Sequence, residues 1–173
     1  VVGSIAAQTQ PRIKQVFIGK STHNQREEEF NLKLYLARKI SENSIYSSPL
    51  SQKNFFYFSS LHNRTIIYKG LLIPEDIERF YIDLSNPKLV TSLALVHQRF
   101  STNTFPTWDL AQPFRYMCHN GEINTLKGNI SRMISRQELI NSKLIDEEFL
   151  NKIFPIIIPV SYTHLTLPTI VRG

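Results

Sequence analysis

Residues 93–129 read LALVHQRFSTNTFPTWDLAQPFRYMCHNGEINTLKGN and combine two apolar runs with polar sequence at the end of each. The first run, residues 93–96, predicts a buried strand that ends shortly before Arg99. The second run, residues 114–118, leads into His119-Asn120-Gly121. The loops that follow the two runs therefore receive an arginine, small hydroxyl residues, amides and a glycine. This set of groups suits a small substrate that carries a carboxylate and a carbonyl.

Two long motifs within this stretch, HQRFSTNTFPTWDLAQPFR at residues 97–115 and HNGEINTLKGN at residues 119–129, resemble the glutamine-binding region of glutamate synthases. That region is a class II glutamine amidotransferase domain, of the N-terminal-nucleophile hydrolase type. Sister amidotransferases tend to carry R-W-A-T-H-G where this sequence has RFSTNT at residues 99–104, which favours glutamate synthase among them. Shorter matches precede the motifs in order: PRIKQVFIG at residues 11–19 and RTIIYKGLL at residues 64–72. The resemblance covers nearly all of the chain.

The resemblance implies an α+β fold, the four-layer αββα sandwich of the N-terminal-nucleophile hydrolases, with two antiparallel sheets between helical layers and both ends incomplete. We expect residues 1–159 to form a partial glutamine amidotransferase domain. Residues 160–173 do not look like the family and resemble translated sequencing-adaptor text, so we predict a foreign tail there. A divergent loop is the alternative. Because the sequence begins with Val1 rather than Met, we interpret it as an interior fragment of a longer protein.

The same resemblance assigns roles to residues in both motifs. Arg99 becomes the ligand of the glutamine α-carboxylate, a role that suits its planar, permanently charged guanidinium. Thr102 and Asn103 align with residues that hydrogen-bond the substrate. Asn120 and Gly121 become the oxyanion hole, where a side-chain amide and a backbone N–H meet the charge that builds on the carbonyl oxygen. Taken alone, Arg99 fits a surface salt bridge and Asn120-Gly121 fits an ordinary turn.

The nucleophile of this family is an N-terminal cysteine whose α-amine can act as the base. Val1 cannot fill that role, so we expect the chain by itself to be inactive as a glutaminase. Cys118 is the single cysteine and ends an apolar run, which favours a packing role over a catalytic one. Ser59, His97 and Asp109 could be combined into a triad, but no G-x-S-x-G nucleophile elbow supports it. The histidines show no H-x-x-x-H metal spacing, and we predict no metal site.

The full-length parent implied by the resemblance hydrolyses glutamine to glutamate and ammonia and uses the ammonia in the reductive conversion of 2-oxoglutarate. We expect no cofactor in this part of the protein; FMN and an iron–sulfur cluster belong to other parts of the parent. The expected partners are glutamine, the synthase domain of the same chain, and an electron donor that is either an NAD(P)H-linked small subunit or ferredoxin. The expected location is the cytoplasm, or the plastid stroma in a photosynthetic eukaryote.

The basic charge of the chain, +6 with 20 Lys and Arg residues, raises a nucleic-acid-binding domain as an alternative function. The basic residues are spread along the sequence, however, and Arg38-Lys39 is the only adjacent pair. A surface that tracks phosphates usually shows a cluster or stripe. We therefore predict no nucleic-acid partner, and another class II amidotransferase is the remaining alternative. No apolar run approaches the ~20 residues of a membrane span, so we predict no membrane association either.

Local patterns predict the elements around the motifs. A β-branched run predicts a strand at residues 13–19. A helix is predicted from a capping box at Asn24, with Arg38-Lys39 in its last turn, followed by a surface loop at residues 41–53. Two runs rich in aromatic and β-branched residues, 54–61 and 65–68, predict an antiparallel hairpin. Further helices are predicted at residues 74–80, 126–134 and 146–153.

Overall fold

The computed structural model describes residues 2–21, 25–100, 106–114, 117–118, 126–137 and 139–156. The regular elements in these residues are helical, and irregular segments connect them. The helices are α1 (Ser4–Gln8), α2 (Glu27–Tyr46), α3 (Pro74–Phe80), α4 (Leu126–Gln137) and α5 (Glu147–Ile153), and 3₁₀ turns occur at Lys53–Phe55 and Ile82–Ser85.

Helix α2 is the longest element, and the prediction of a helix in this region is confirmed. Its first turn carries Glu27, Glu28 and Glu29, whose charges are stabilising beside the unsatisfied N–H groups of the helix start. Phe30 and Leu34, four positions apart, are buried on one face. The predicted cap at Asn24 lies outside the described residues.

The end of α2 differs from the prediction, because the helix runs on to Tyr46 through residues that we expected to form a loop. The Nδ2 of Asn43 donates hydrogen bonds to the carbonyl oxygens of Lys152 and Phe154, both at 3.0 Å. The Nζ of Lys39 donates to the carbonyl oxygen of Ile156 at 3.0 Å. These contacts with α5 and the residues after it stabilise the added helical turns against the weak helix propensity of Ser and Asn.

The remaining helix predictions are confirmed. Helix α3 begins at Pro74, whose fixed φ and missing N–H suit a first helical position. Helix α4 covers the predicted repeat of apolar residues and ends at Gln137, and α5 begins directly after Asp146. Helix α1, at the start of the chain, was not predicted from the sequence.

The predicted strands do not appear in the described residues. Residues 13–19, 54–61, 65–68 and 93–96 form no ladder there, and the backbone pairing that is present is one antiparallel bridge between Phe114 and Met117. Leu93 is 74% and Val96 is 81% exposed, so the prediction of a buried strand at this position is wrong in this structure. A strand is stable only when a neighbour pairs with its N–H and C=O groups, and no described segment does so here. The αββα sandwich stays a prediction.

The buried apolar side chains of the described residues lie on two kinds of segment. One set is helical, and the other lies in irregular segments that flank the site motifs. The helical set is Phe30, Leu34 and Ile153, and the irregular set is Ile67, Trp108 and Ala111. The irregular segments are therefore held by specific contacts rather than by a secondary-structure ladder.

Candidate functional site

Arg99 is the one residue of the predicted substrate site that falls among the described residues, and it is exposed. An exposed guanidinium is accessible to a carboxylate from solution. Thr102, Asn103, Asn120 and Gly121 lie outside the described residues. Cys118 is described, and its thiol is reduced and half-buried.

The joining segment, residues 106–114, is the later part of the first motif and leads along the chain from Arg99 toward Asn120. It is anchored by Trp108. The indole is 3% exposed, and its Nε1–H donates a hydrogen bond to the carbonyl oxygen of Ala6 at 3.0 Å. Its ring lies 5.7 Å from the ring of Phe80, which ends α3. Burial of a large aromatic ring with its polar N–H satisfied is strongly stabilising. The segment is thus fixed between the first residues of the chain and the end of α3.

Gly70 faces the same indole from a different part of the chain. A Cβ added at Gly70 would lie 2.6 Å from Cζ3 and 2.9 Å from Cε3 of Trp108. These distances are far shorter than van der Waals contacts between carbon atoms, which are about 3.5–4.0 Å. Only glycine allows this close approach of the backbone to the ring.

Lys69, the residue before Gly70, is 7% exposed and contacts the joining segment at Asp109 and at Phe114. Its Nζ donates a hydrogen bond to the carbonyl oxygen of Asp109 at 2.6 Å. The same ammonium lies 4.8 Å from the centre of the Phe114 ring and 5.1 Å from that of Tyr57, within the range of cation–π attraction. Burial lowers the pKa of Lys69 to about 8, and the negative charge of Asp109 acts in the opposite direction.

Tyrosines complete the surroundings of Lys69. The hydroxyl of Tyr81 donates to the carbonyl oxygen of Lys69 at 2.7 Å, and the ring of Tyr68 lies 4.9 Å from that of Tyr81. Burial raises the pKa of Tyr57 and of Tyr81, so both phenols stay neutral where free tyrosine would ionise. The cluster of Tyr57, Lys69, Tyr81 and Phe114 therefore carries its positive charge among neutral rings.

The bridge between Phe114 and Met117 extends this anchoring toward the second motif. The N–H of Phe114 donates to the carbonyl oxygen of Met117 at 2.7 Å, and the N–H of Met117 donates back at 2.6 Å. Cys118 follows directly, and Asn120-Gly121 comes just after it in the sequence. Phe114, whose ring contacts Lys69, is thus paired through its backbone with Met117, a residue that precedes Asn120 in the sequence.

Sequence reasoning gave no role to Lys69, Gly70 or Trp108, although each lies in a motif that it identified. The pattern next to Lys69 and Gly70 predicts only the second strand of a hairpin, at residues 65–68. Signals are present in the sequence: Trp108 is the single tryptophan of the chain, and Lys69-Gly70 follows the run Ile66-Ile67-Tyr68. Neither signal identifies the distant residues that pack against Trp108 and Gly70.

The described residues contain no group of three His, Cys, Asp or Glu side chains that could hold a metal ion. Nor do they contain a helix that is both long and apolar enough to cross a membrane.

Residues 1–164 match the family of class-II glutamine amidotransferases, and the chain belongs to that family. Its relatives, in turn, are glutamate synthases. It is 49% identical over 156 residues to the glutamate synthase (NADPH) large chain of Bacillus subtilis, a match that covers 90% of this chain and 10% of the relative. It is 43% identical over 162 residues to the glutamate synthase (NADH) of Saccharomyces cerevisiae, covering 91% of this chain and 7% of the relative.

A plant relative shows the same pattern. The ferredoxin-dependent glutamate synthase 2 of Arabidopsis thaliana, a chloroplastic protein, is 43% identical over 142 residues, which is 82% of this chain and 8% of the relative. The chain therefore spans a tenth or less of these relatives, and the resemblance drawn from its motifs is confirmed. No solved structure matches it significantly.

Proposed function

We propose that this chain is part of the glutamine-hydrolysing domain of a glutamate synthase, which binds glutamine and releases glutamate and ammonia. The observation that carries the proposal is the family match over residues 1–164. Similarity at 42–49% identity to glutamate synthases of bacteria, yeasts and plants supports the narrower assignment. The anchored joining segment supports it as well, because a substrate site must be held rigidly to be effective.

Within this function, Arg99 grips the α-carboxylate of glutamine through two parallel N–H···O bonds. Thr102 and Asn103 hydrogen-bond the same substrate. The side-chain amide of Asn120 and the backbone N–H of Gly121 stabilise the oxyanion that forms when the amide carbon is attacked. The nucleophile is the N-terminal cysteine typical of the family, and Cys118 is a packing residue.

In the whole protein, the ammonia passes to a synthase domain that condenses it with 2-oxoglutarate and reduces the product. FMN and an iron–sulfur cluster serve that second reaction. The cluster does not fit this chain, because cluster ligands are chiefly cysteine thiolates and the sequence has one cysteine. The electron donor is an NAD(P)H-linked subunit or ferredoxin; the names of the relatives include NADPH, NADH and ferredoxin. The protein acts in the cytoplasm, or in the plastid stroma of a photosynthetic eukaryote.

Arg99→Lys is expected to weaken glutamine binding by about 1.5–3 kcal/mol, the range for hydrogen bonds to charged groups. Lysine keeps the positive charge but loses the planar fork that binds both carboxylate oxygens. Isothermal titration of the purified protein with L-glutamine measures the change, which corresponds to a dissociation constant raised roughly ten- to 150-fold.

Two controls make this titration specific. Arg79→Lys alters another exposed arginine, on α3, and should leave the affinity unchanged. L-Glutaminamide, which lacks the carboxylate, should bind equally weakly to the wild type and to Arg99→Lys. If the wild type does not bind glutamine at millimolar concentration, the proposed function fails; if Arg99→Lys binds as tightly as the wild type, only the carboxylate assignment fails.

A further inference from the structure

Lys69 is a lysine in a place where lysines are rarely found. Lysine is almost never fully buried unless its ammonium is paired, because removing the charge from water is costly. A methionine would fill a similar volume without that cost. A lysine that is only 7% exposed therefore indicates that its charge has a specific role.

The contacts of Lys69 show what the charge holds. Its ammonium binds the carbonyl oxygen of Asp109 and lies against the ring of Phe114, so it reaches two points of the joining segment. Its neighbour Gly70 abuts Trp108, a third point on the same segment. Two consecutive residues thus contact the joining segment at the adjacent residues Trp108 and Asp109 and again at its end, at Phe114.

Two further residues, Tyr81 and Tyr57, hold the lysine itself. Its carbonyl oxygen accepts the hydroxyl of Tyr81, and its ammonium also lies over the ring of Tyr57. Because the backbone of Lys69 is itself held, its side chain can fix the position of the residues that it contacts. The joining segment follows Arg99 in the sequence and precedes Asn120, so a shift of the segment changes the path of the chain between these two residues.

We propose that Lys69 is a positioning residue for glutamine binding: its buried ammonium holds the joining segment, which leads along the chain from Arg99 toward the second motif. The inference rests on the proposed function. Lys69 does not contact glutamine; it acts through Asp109 and Phe114. Its loss therefore weakens binding of the whole substrate rather than recognition of one group.

Lys69→Met is the direct test, and Lys39→Met is its matched control. Lys39 is also buried, at 3% exposure, and also donates to a backbone carbonyl, that of Ile156, but it lies on α2. We expect Lys69→Met to raise the dissociation constant for L-glutamine about tenfold, the factor that corresponds to one hydrogen bond of ~1.4 kcal/mol. Lys39→Met should change it less than twofold. Circular dichroism checks that each variant is folded.

A second variant covers the case in which Lys69→Met does not fold. Lys69→Arg keeps a positive charge at every accessible pH, whereas the wild-type lysine loses its proton above about pH 8. The groups that face this position are the phenols of Tyr57 and Tyr81, whose pKa values burial raises, and the carboxyl group of Asp109, whose charge raises the pKa of Lys69. Between pH 7 and pH 9.5 the wild type should therefore lose glutamine affinity relative to Lys69→Arg, while titration of the glutamine amine affects both proteins alike.

The outcomes separate the two proposals. A wild type that binds glutamine and a folded Lys69→Met that binds it equally well overturn the role of Lys69 and leave the proposed function standing. Equal pH profiles for the wild type and Lys69→Arg do the same. A wild type without glutamine affinity overturns both.

Discussion

Replacing Trp108 with alanine is expected to lower the free energy of unfolding by about 3–5 kcal/mol, the usual cost of removing a buried Trp or Phe side chain. The indole is 3% exposed, contacts Phe80 and donates its N–H to Ala6. Its removal leaves a cavity beside Gly70 and takes one hydrogen bond from the carbonyl oxygen of Ala6, which still accepts from the N–H of Thr9. Urea denaturation followed by far-ultraviolet circular dichroism measures the change, since Trp108 is the only tryptophan and its fluorescence disappears with it.

Phe17→Ala is the matched control for this substitution. Phe17 is an aromatic residue of similar size but is 89% exposed, so its truncation should change stability by no more than about 0.5 kcal/mol. Trp108→Phe provides an intermediate case, because the ring still packs near Phe80 while the hydrogen bond to Ala6 is lost. If Trp108→Ala and Phe17→Ala shift the urea midpoint equally, Trp108 does not anchor the joining segment.

The helices were predictable because their signals are local. Pro74 at a first helical position and the acidic residues after Asp146 mark the starts of α3 and α5 within a few positions. The end of α2 was not predictable in this way. Residues 41–46 have a loop-like composition, and contacts with residues far along the chain, such as those of Asn43 with the carbonyls of Lys152 and Phe154, stabilise the helix there.

Strand predictions depend on partners that a local pattern does not identify. Residues 93–96 have the composition of a buried strand, yet Leu93 and Val96 are largely exposed. The composition of a segment indicates that it can form a buried strand. Whether it does so depends on a second segment that pairs with it and packs over it. For this reason the sheets of the proposed sandwich remain a prediction from resemblance.

The candidate site shows the same contrast between local sequence signals and contacts made by distant residues. The types of its motif residues suit a substrate with a carboxylate and a carbonyl, and the resemblance of the motifs to glutamate synthases implies the carboxylate ligand and the oxyanion hole. The anchor around Lys69 gave no such indication. It brings together Tyr57, Tyr81 and residues 108–114, which are remote from Lys69 in the sequence, and each appears ordinary in its own neighbourhood. Only the packed structure shows that the lysine is buried.

Gly70→Ala is expected to destabilise the protein by about 3 kcal/mol, the upper end of the range for overpacking a filled site. A single methyl group at Gly70 would overlap Cζ3 and Cε3 of Trp108, at 2.6 and 2.9 Å, and the buried indole cannot move without losing its bond to Ala6. The backbone of Gly70 does not have a positive φ, so the cost is steric contact with the ring rather than backbone strain. Urea denaturation measured by circular dichroism quantifies the loss.

Gly128→Ala is expected to have the opposite effect, a gain in stability. Gly128 lies inside α4, where an added Cβ meets nothing within 4 Å, so alanine should stabilise the protein by up to about 1 kcal/mol through helix propensity.

In a Trp108→Leu background, where the ring is absent, Gly70→Ala should cost much less than in the wild type, because the two substitutions then share one contact. Gly70→Ala that is neutral in the wild type, or equally costly with and without the ring, would show that the backbone at Gly70 does not approach the indole as closely as the structure has it.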